Sequence, residues 1–290
     1  MTARKIDHLV LPVGNLARAR ERLSLLGFTV APDGQHPFGT ENACVFLEDG
    51  TYLEPLAVSD RRKAGAAAKR GNVFLERDLA YRGRRGREGL SAVVVSSDDA
   101  AGDDEHYKAA GISGGEPLEF GRTLRSPDGD EVEARFRLAF ASMDNAPDFF
   151  AFACQRLVSF PQKLDGLRSH ANAVSGLKEI VLASNDPQAS SSLLEGLLRV
   201  SGEEIDGGLA FQAEAWRLRV LRNEQIAHEF GPSGAAVGEG LVGHAVIFRT
   251  LDLAVTEIIL AANDVAFIRR DGRVLVSPSP GQGVLFGFEE

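Results

Sequence analysis

One order of elements recurs along this chain, and that recurrence restricts the fold more than composition does. Its clearest instance occupies residues 6–57. Ile6-Asp7-His8-Leu9-Val10-Leu11 alternates as a strand, with Ile6, His8 and Val10 on one face and Asp7, Leu9 and Leu11 on the other. Asn15 is a fitting N-cap, Leu16, Ala19, Leu23 and Leu26 follow at helical spacing, and Gly27 suits a helix stop. Strands are expected over 28–31, 43–47 and 52–57, with the loop His36-Pro37-Phe38-Gly39-Thr40-Glu41-Asn42 between the first two. The order is β-α-β-β-β.

Three weaker instances follow. A strand over 90–95, a helix capped by Asp98 or Asp99 and ending at Gly111, and strands over 118–126, 131–141 and 148–154 form the second. Ser126-Pro127-Asp128-Gly129 reads as a turn in it. Residues 157–176 read as a connection between domains. The third unit has a strand over 177–183, Asp186-Pro187 opening a helix that buries Leu193, Leu194, Leu197 and Leu198, and strands over 209–213 and 216–221. The fourth has a strand over 242–246, a helix carrying Leu251, Val255, Ile258, Ile259 and Ala262, and strands near 264–269, 273–277 and 283–289, with Asp271-Gly272 as a hairpin turn. Residues 59–88 yield only a short helix over 64–69. Their basic cluster, Arg82, Arg84, Arg85 and Arg87, reads as a solvated loop, or alternatively as a glycine-rich loop holding an anion.

Four such units predict an α+β fold of four βαβββ modules, paired into domains of residues 1–160 and 170–290. A module's helix covers one sheet face, so pairing two modules leaves their concave faces to enclose a pocket. At 290 residues each half can bury a core of its own. The net charge of −9 disfavours nucleic acid or an anionic membrane as partner. No apolar run approaches the roughly 20 residues of a membrane helix. Cys44 and Cys154 form no short C-x-x-C pair, and no signal-like segment opens the sequence, so a reducing, cytoplasmic setting is expected.

The residues Ile6-Asp7-His8-Leu9-Val10, His36-Pro37-Phe38-Gly39-Thr40-Glu41-Asn42, Tyr52-Leu53-Glu54, and Phe149-Phe150 near Gln155 resemble the vicinal oxygen chelate superfamily. That group includes glyoxalase I, extradiol dioxygenases and bleomycin-resistance proteins, and the narrower likeness is to its two-domain glyoxalase-like domain proteins. The resemblance covers residues 5–160. Beyond 170 it rests on element order alone.

The resemblance implies a divalent metal (Zn, Fe, Mn or Ni) held by one residue from the first strand and one from the last strand of each module. In the first module those positions fall on His8 and Glu54. The second module departs from the pattern: it offers Ser91 or Ala92, then Phe150, Phe152, Cys154 and Gln155. His36 would complete a two-histidine, one-carboxylate set, or serve as a pocket residue. Glu179, His244 and Glu289 form a second, weaker metal candidate. Glu54 and Glu41 are the candidate catalytic bases. Thr40, Asn42, Tyr52, Phe150 and Gln155 are candidate ligand contacts. Arg135 and Arg137 alternate with Val132, Ala134, Phe136 and Leu138. They reach the pocket if that apolar face packs on the helix, and solvent if the sheet is reversed.

The implied function is a metal-dependent lyase, isomerase or oxygenase acting on a small oxygenated substrate, with a homodimer as a further expectation. The alternative is a metal-free small-molecule binding or sequestration protein of the bleomycin-resistance type. The first half is expected to carry the site, because polar groups at strand centres facing a cavity are costly unless bonded or ligated.

Overall fold

The structure is a computed structural model that describes residues 3–86, 88–125, 131–158, 165–231 and 240–290. The first half contains β1 (Ile6–Pro12), α1 (Leu16–Leu25), β2 (Gly34–Gln35), β3 (Thr40–Asn42), β4 (Val45–Phe46), β5 (Tyr52–Val58), α2 (Arg61–Ala68), α3 (Val73–Arg85), β6 (Ala92–Ser97), α4 (Ala100–Ala109), β7 (Leu118–Arg125), β8 (Glu131–Ala141) and β9 (Phe150–Arg156). The second contains α5 (Asp165–Arg168), β10 (Val174–Ala183), α6 (Ser191–Leu198), β11 (Glu203–Ile205), β12 (Gly208–Gln212), β13 (Arg217–Leu221), α7 (Asn223–Phe230), β14 (Val242–Thr250), α8 (Leu253–Ala262), β15 (Ile268–Arg270), β16 (Arg273–Val276) and β17 (Leu285–Glu289).

The strands form two sheets. The first has the order β2-β3-β5-β1-β6-β9-β8-β7, with β4 also on β5, and the second β11-β12-β13-β10-β14-β17-β16-β15. In each half the two modules meet through their first strands, β1 against β6 and β10 against β14, both antiparallel. Each module's last strand then runs parallel to its own first strand. The α+β architecture of paired βαβββ modules is thus observed.

Local chemistry repeats with the topology. Asn15, Asp99 and Asp252 each accept a backbone N–H three residues on and open α1, α4 and α8. Asp186 does the same for a 3₁₀ turn leading into α6. Asp271 and Gly272, both at positive φ (49° and 79°), make the two-residue hairpin turn between β15 and β16.

Several local expectations fail for identifiable reasons. Residues 28–31 run irregularly, meeting the 43–47 stretch through the bond from Ala31 N–H to the Cys44 carbonyl. The pairing moves instead to the hairpin of β2 and β3, and the strand expected over 43–47 shrinks to β4. The turn at 126–129 lies outside the described residues. The stretch expected as loop around the basic cluster is the last turn of α3. There Arg82 donates to Asp78 at 2.7 Å and Arg84 to Asp148 at 2.6 Å, so the residues are ion-paired helix positions. Arg87 lies outside the described residues.

The unexpected helices matter most for function. One apolar core lies on the helix side of both sheets and runs through both halves. A second joins Val10, Leu56, Val94 and Phe152 of the first sheet's concave face to Ala64 and Ala67 of α2 and Phe74 and Leu75 of α3. On the second sheet, Ile226 and Phe230 of α7 pack on Val181, Ala245 and Ile247 in the same way. The helices linking paired modules therefore cover both concave faces and leave a small cavity in the first.

Candidate functional site

The site begins with an irregularity in β1. Ile6 is opposite Val95 and His8 is opposite Val94, so Asp7 is an extra residue in the ladder with β6. Such a bulge breaks the strict alternation. Ile6 joins Leu9 and Leu11 in the helix-side core, not the face of His8 expected from alternation, while Val10 lies in the concave core. Asp7 and His8 can then bond: His8 Nδ1 is 2.7 Å from Asp7 Oδ1. Arg156 holds the same carboxylate, with Nη1 2.7 Å from Oδ2. Burial alone raises the Asp7 pKa, but the His8 bond and the charges of His8 and Arg156 outweigh it and hold the acid below its usual range.

With Nδ1 engaged, His8 points Nε2 at Glu54, 3.6 Å from Oε2. Glu54 sits on β5, two residues from Tyr52, whose ring stacks on His8 at 4.5 Å between centroids. The β2–β3 hairpin supplies the third group. His36 N–H bonds the Thr40 carbonyl at 2.8 Å, and its Nδ1 is 2.9 Å from Thr40 Oγ1. This places His36 Nε2 3.7 Å from Glu54 Oε1. Asn42 Nδ2 donates to Glu54 Oε1 at 2.6 Å. Burial, then the charges of Arg122 and His8, push the His36 pKa well down, so its ring is neutral near neutral pH.

His8, His36, Tyr52 and Glu54 line one cavity with a wall of Phe38, Phe74, Phe120, Phe136, Leu138, Phe152 and Cys154, and with Arg122 of β7. Its free volume is about 30 Å³, roughly one water molecule's share of the liquid. Burial raises the Tyr52 phenol and Cys154 thiol well above their usual pKa values, so both stay protonated.

The donor types fit a divalent ion: two imidazoles and one carboxylate, with Asp7 orienting His8 as ligating histidines are commonly oriented. Among the described residues, however, no three His, Cys, Asp or Glu side chains stand placed to hold an ion as they are. The reason is local. Glu54 lies between the imidazoles, one oxygen toward each, and Asn42 fixes Oε1. Ion binding would require the carboxylate to leave that bridging position.

Other candidates fall elsewhere. Thr40 and Asn42 face inward and support His36 and Glu54, whereas Glu41 alternates to the opposite face of β3 and does not line the cavity. Arg135 and Arg137 point away from the cavity and pair with Glu119 at 2.6 and 2.9 Å, because Ala134, Phe136 and Leu138 take the concave face. Phe150 packs on Phe74 and Phe152 behind the wall. Gln155 bonds the Asp98 carbonyl and the Ala100 N–H at the start of α4, a structural contact.

Register explains why the other modules lack the set. As His8 lies beside Tyr52 and Val10 beside Glu54, so Ala92 lies beside Phe150 and Val94 beside Phe152. The second module's counterparts of His8 and Glu54 are therefore Ala92 and Phe152. In the third module they are Glu179 and Arg219, which form an ion pair. The second candidate set is not assembled. Glu179 is also paired with Arg217 and Arg273, and Glu289 with Lys178 and Arg273. His244 is the extra residue of a bulge in β14, and packs on Phe230 with Nε2 unpartnered.

Arg122 was not anticipated. Its signal lies in the alternation of β7, where Leu118, Phe120 and Arg122 share the face opposite Glu119.

The fold and this pocket define a two-domain protein of the vicinal oxygen chelate kind. A family model described as "Glyoxalase-like domain" matches residues 6–198, and the chain belongs to that family. The matched stretch spans the first sheet and continues through α6 of the second half. A search of curated proteins gave no match. Among solved structures, a hypothetical protein from Staphylococcus aureus superposes with a TM-score of 0.70 at 15% identity, covering 98% of each chain. A mutant of 4-hydroxymandelate synthase from Streptomyces coelicolor gives 0.63 at 13% identity, over 99% of this chain and 92% of that one. A fusion of a xylose isomerase-like TIM barrel with 4-hydroxyphenylpyruvate dioxygenase gives 0.54 at 15% identity, with 99% of this chain covering 49% of the fusion. These likenesses establish the fold.

Proposed function

We propose that the first half is a metal-dependent site for a small oxygenated substrate, used in lyase, isomerase or oxygenase chemistry. The observation carrying this reading is the convergence of His8, His36 and Glu54 on one buried cavity, with Asp7 behind His8. These three residues would hold a divalent ion (Zn, Fe, Mn or Ni). When bound, the ion would act as a Lewis acid toward vicinal substrate oxygens. The chain's own contribution is orientation: Asp7 fixes the His8 ring, Thr40 fixes His36, and Asn42 steers Glu54. Glu54 is the base candidate inside the cavity, and Glu41 is set aside because it faces outward. The aromatic wall and the covering α3 exclude water from the reacting groups.

Elemental analysis after purification without added metal, followed by titration with Mn, Zn, Ni and Fe(II), tests the proposal. Uptake near one equivalent, abolished in His8→Ala, is expected. Less than about a tenth of an equivalent with no uptake on titration would overturn it.

A second reading, metal-free binding or sequestration of a small molecule, draws on the Asn42–Glu54 bond and on the apolar Ala92 and Phe152 at the second module's ligand positions. Thermal stabilisation by organic ligands that survives a chelator would favour it.

The same proposal includes a small-molecule ligand as partner and no nucleic acid. Among the described residues no helix is long and apolar enough to cross a membrane. Cys44 and Cys154 are buried and free, which suits a cytoplasmic setting, and the exposed Leu251 and Ile258 suit a homodimer contact. The extents of the two sheets support domains of 1–160 and 170–290.

A further inference from the structure

We infer that the first-half cavity takes a small organic carboxylate with a flat apolar body, its negative group held by Arg122. The inference rests on the reading of this cavity as the binding site, but not on a metal.

The starting point is a charge without a counter-charge. Several buried or half-buried guanidiniums have carboxylate partners, as Arg156 has Asp7, Arg82 has Asp78 and Arg219 has Glu179, while Arg22 and Arg77 make short bonds to the neutral Gln282 Oε1 and Ser142 Oγ at 2.9 and 2.7 Å. Arg122 is half-buried, lines the cavity, and has no carboxylate within ion-pair distance among the described residues. Its Nη1 is 3.4 Å from His36 Nε2 and 3.4 Å from Asn42 Oδ1. Both contacts are long, and both acceptors are neutral. Its Nε is buried with no partner. Its remaining support is the Phe136 ring, 5.6 Å from the guanidinium carbon. Glu54, the carboxylate lining the same cavity, is turned to the imidazoles and Asn42 instead.

Withdrawing a cation from water is costly unless an anion and further hydrogen bonds compensate. At Arg156, Arg82 and Arg219 the chain supplies that anion, and at Arg22 and Arg77 it supplies a short neutral bond instead. At Arg122, among the described residues, it supplies neither, and because this guanidinium also lines the cavity, the charge is held ready for an anion from outside. A carboxylate matches the planar guanidinium edge through two parallel bonds. One guanidinium and no lysine line the cavity, which suits a single negative charge better than a phosphate. The other walls are aromatic: Phe38, Phe120, Phe136 and Phe152 surround the polar end, and Tyr52 stacks on His8. Those faces favour a flat, apolar body. The free volume of about 30 Å³ means such a body enters by displacing wall side chains.

The test uses phenylacetate and its neutral isostere phenylacetamide, with inorganic phosphate as a third probe. Binding to the full chain is followed by calorimetry or ligand-observed NMR. Phenylacetate should bind at least about tenfold tighter than the amide, with phosphate inactive. Arg122→Gln should abolish the preference, and Arg122→Lys should retain part of it. Arg122→Met, which removes the unpaired charge, should match or exceed the parent's melting temperature without ligand.

Equal binding of acid and amide, no phenylacetate binding up to about 20 mM, or a preference that survives in Arg122→Gln would overturn the inference. So would tighter binding of phosphate. A fall of more than about 5 °C in Arg122→Met would make the arginine a structural group and also overturn it. Metal titration of the same samples separates the two readings. Metal uptake without a carboxylate preference defeats this inference alone, and the converse defeats the metal reading alone.

Discussion

His8 and His244 both sit on first strands of modules, yet their surroundings differ. His8 has a carboxylate on Nδ1 and another facing Nε2. His244 has an aromatic ring and an unpartnered Nε2, and burial pushes its pKa down to about 4. The unfolded chain binds this proton below about 6.5 whereas the folded one resists it to about 4, so the contribution is full above 6.5 and is lost as pH falls through that window. The loss is of order 3 kcal/mol at most. His244→Leu should flatten the stability–pH curve between those limits, measured as urea midpoints at pH 7 and pH 4.5. An unchanged difference between the two midpoints would show that other groups dominate. The sequence ranks His8 above His244 by its neighbours Glu54 and the 36–42 loop, but alternation alone does not show the environment of either ring, because both stand on alternating apolar strands. The same limit applied to the arginines. Arg135 and Arg137 alternate with apolar residues whereas Arg122 shares a face with Leu118 and Phe120, and what assigns that face inward is the packing of Phe120 and Phe136 against each other.

At the scale of elements, the β2–β3 hairpin is the piece that creates the site, because it carries His36, Thr40 and Asn42 together. Its tip depends on Gly39. That residue has φ of 95°, and an added Cβ would lie 2.8 Å from the Asp60 carbonyl. The Gly39 carbonyl in turn accepts N–H groups of Ser59 and Asp60 at the entry to α2. Gly39→Ala should cost about 1–3 kcal/mol and weaken metal or ligand binding by displacing His36. Equilibrium unfolding and metal titration of the variant check both outcomes, and wild-type values in both would refute the role given to the hairpin. The segment was legible as a functional loop but not as two strands, since Pro37 and Gly39 signal a turn and the strands are only two and three residues long. Helix α3 was hidden for another reason. It buries Val73, Phe74, Leu75, Asp78 and Tyr81, but Gly83 and its arginines dilute the helical signal, and its buried Asp78 is paired with Arg82. Strands β7, β8 and β9 were readable to within about two residues because long alternation is a strong signal.

At the scale of the molecule, the two halves share one core instead of packing as separate bodies. That core runs from Leu9 and Leu23 through Val93 and Tyr107 to Leu177, Leu194, Phe248 and Phe286. Polar contacts cross the same boundary. Arg4 N–H bonds the Leu198 carbonyl at 2.9 Å, Trp216 Nε1 donates to the Arg4 carbonyl at 3.2 Å, and Asn172 Nδ2 donates to the Leu26 carbonyl at 2.8 Å. His170 accepts from Thr29 N–H at 3.0 Å. The module repeat made two domains legible, but not their fusion, because periodicity shows that a helix has an apolar face without showing what covers it. Fusion predicts cooperativity. Breaking the core in one half should unfold both, since neither sheet keeps its helix-side packing alone. Gly243 offers the probe. It lies on β14 in the second half, where an added Cβ would run into the Leu90 carbonyl of the first. Gly243→Ala should destabilise by about 1–3 kcal/mol through overpacking. In the parent, Trp216 fluorescence and far-ultraviolet circular dichroism should report one coincident urea transition. In the variant both should shift together. Two resolved transitions, with only the Trp216 signal moved, would show that the halves unfold independently and that the shared core does not couple them.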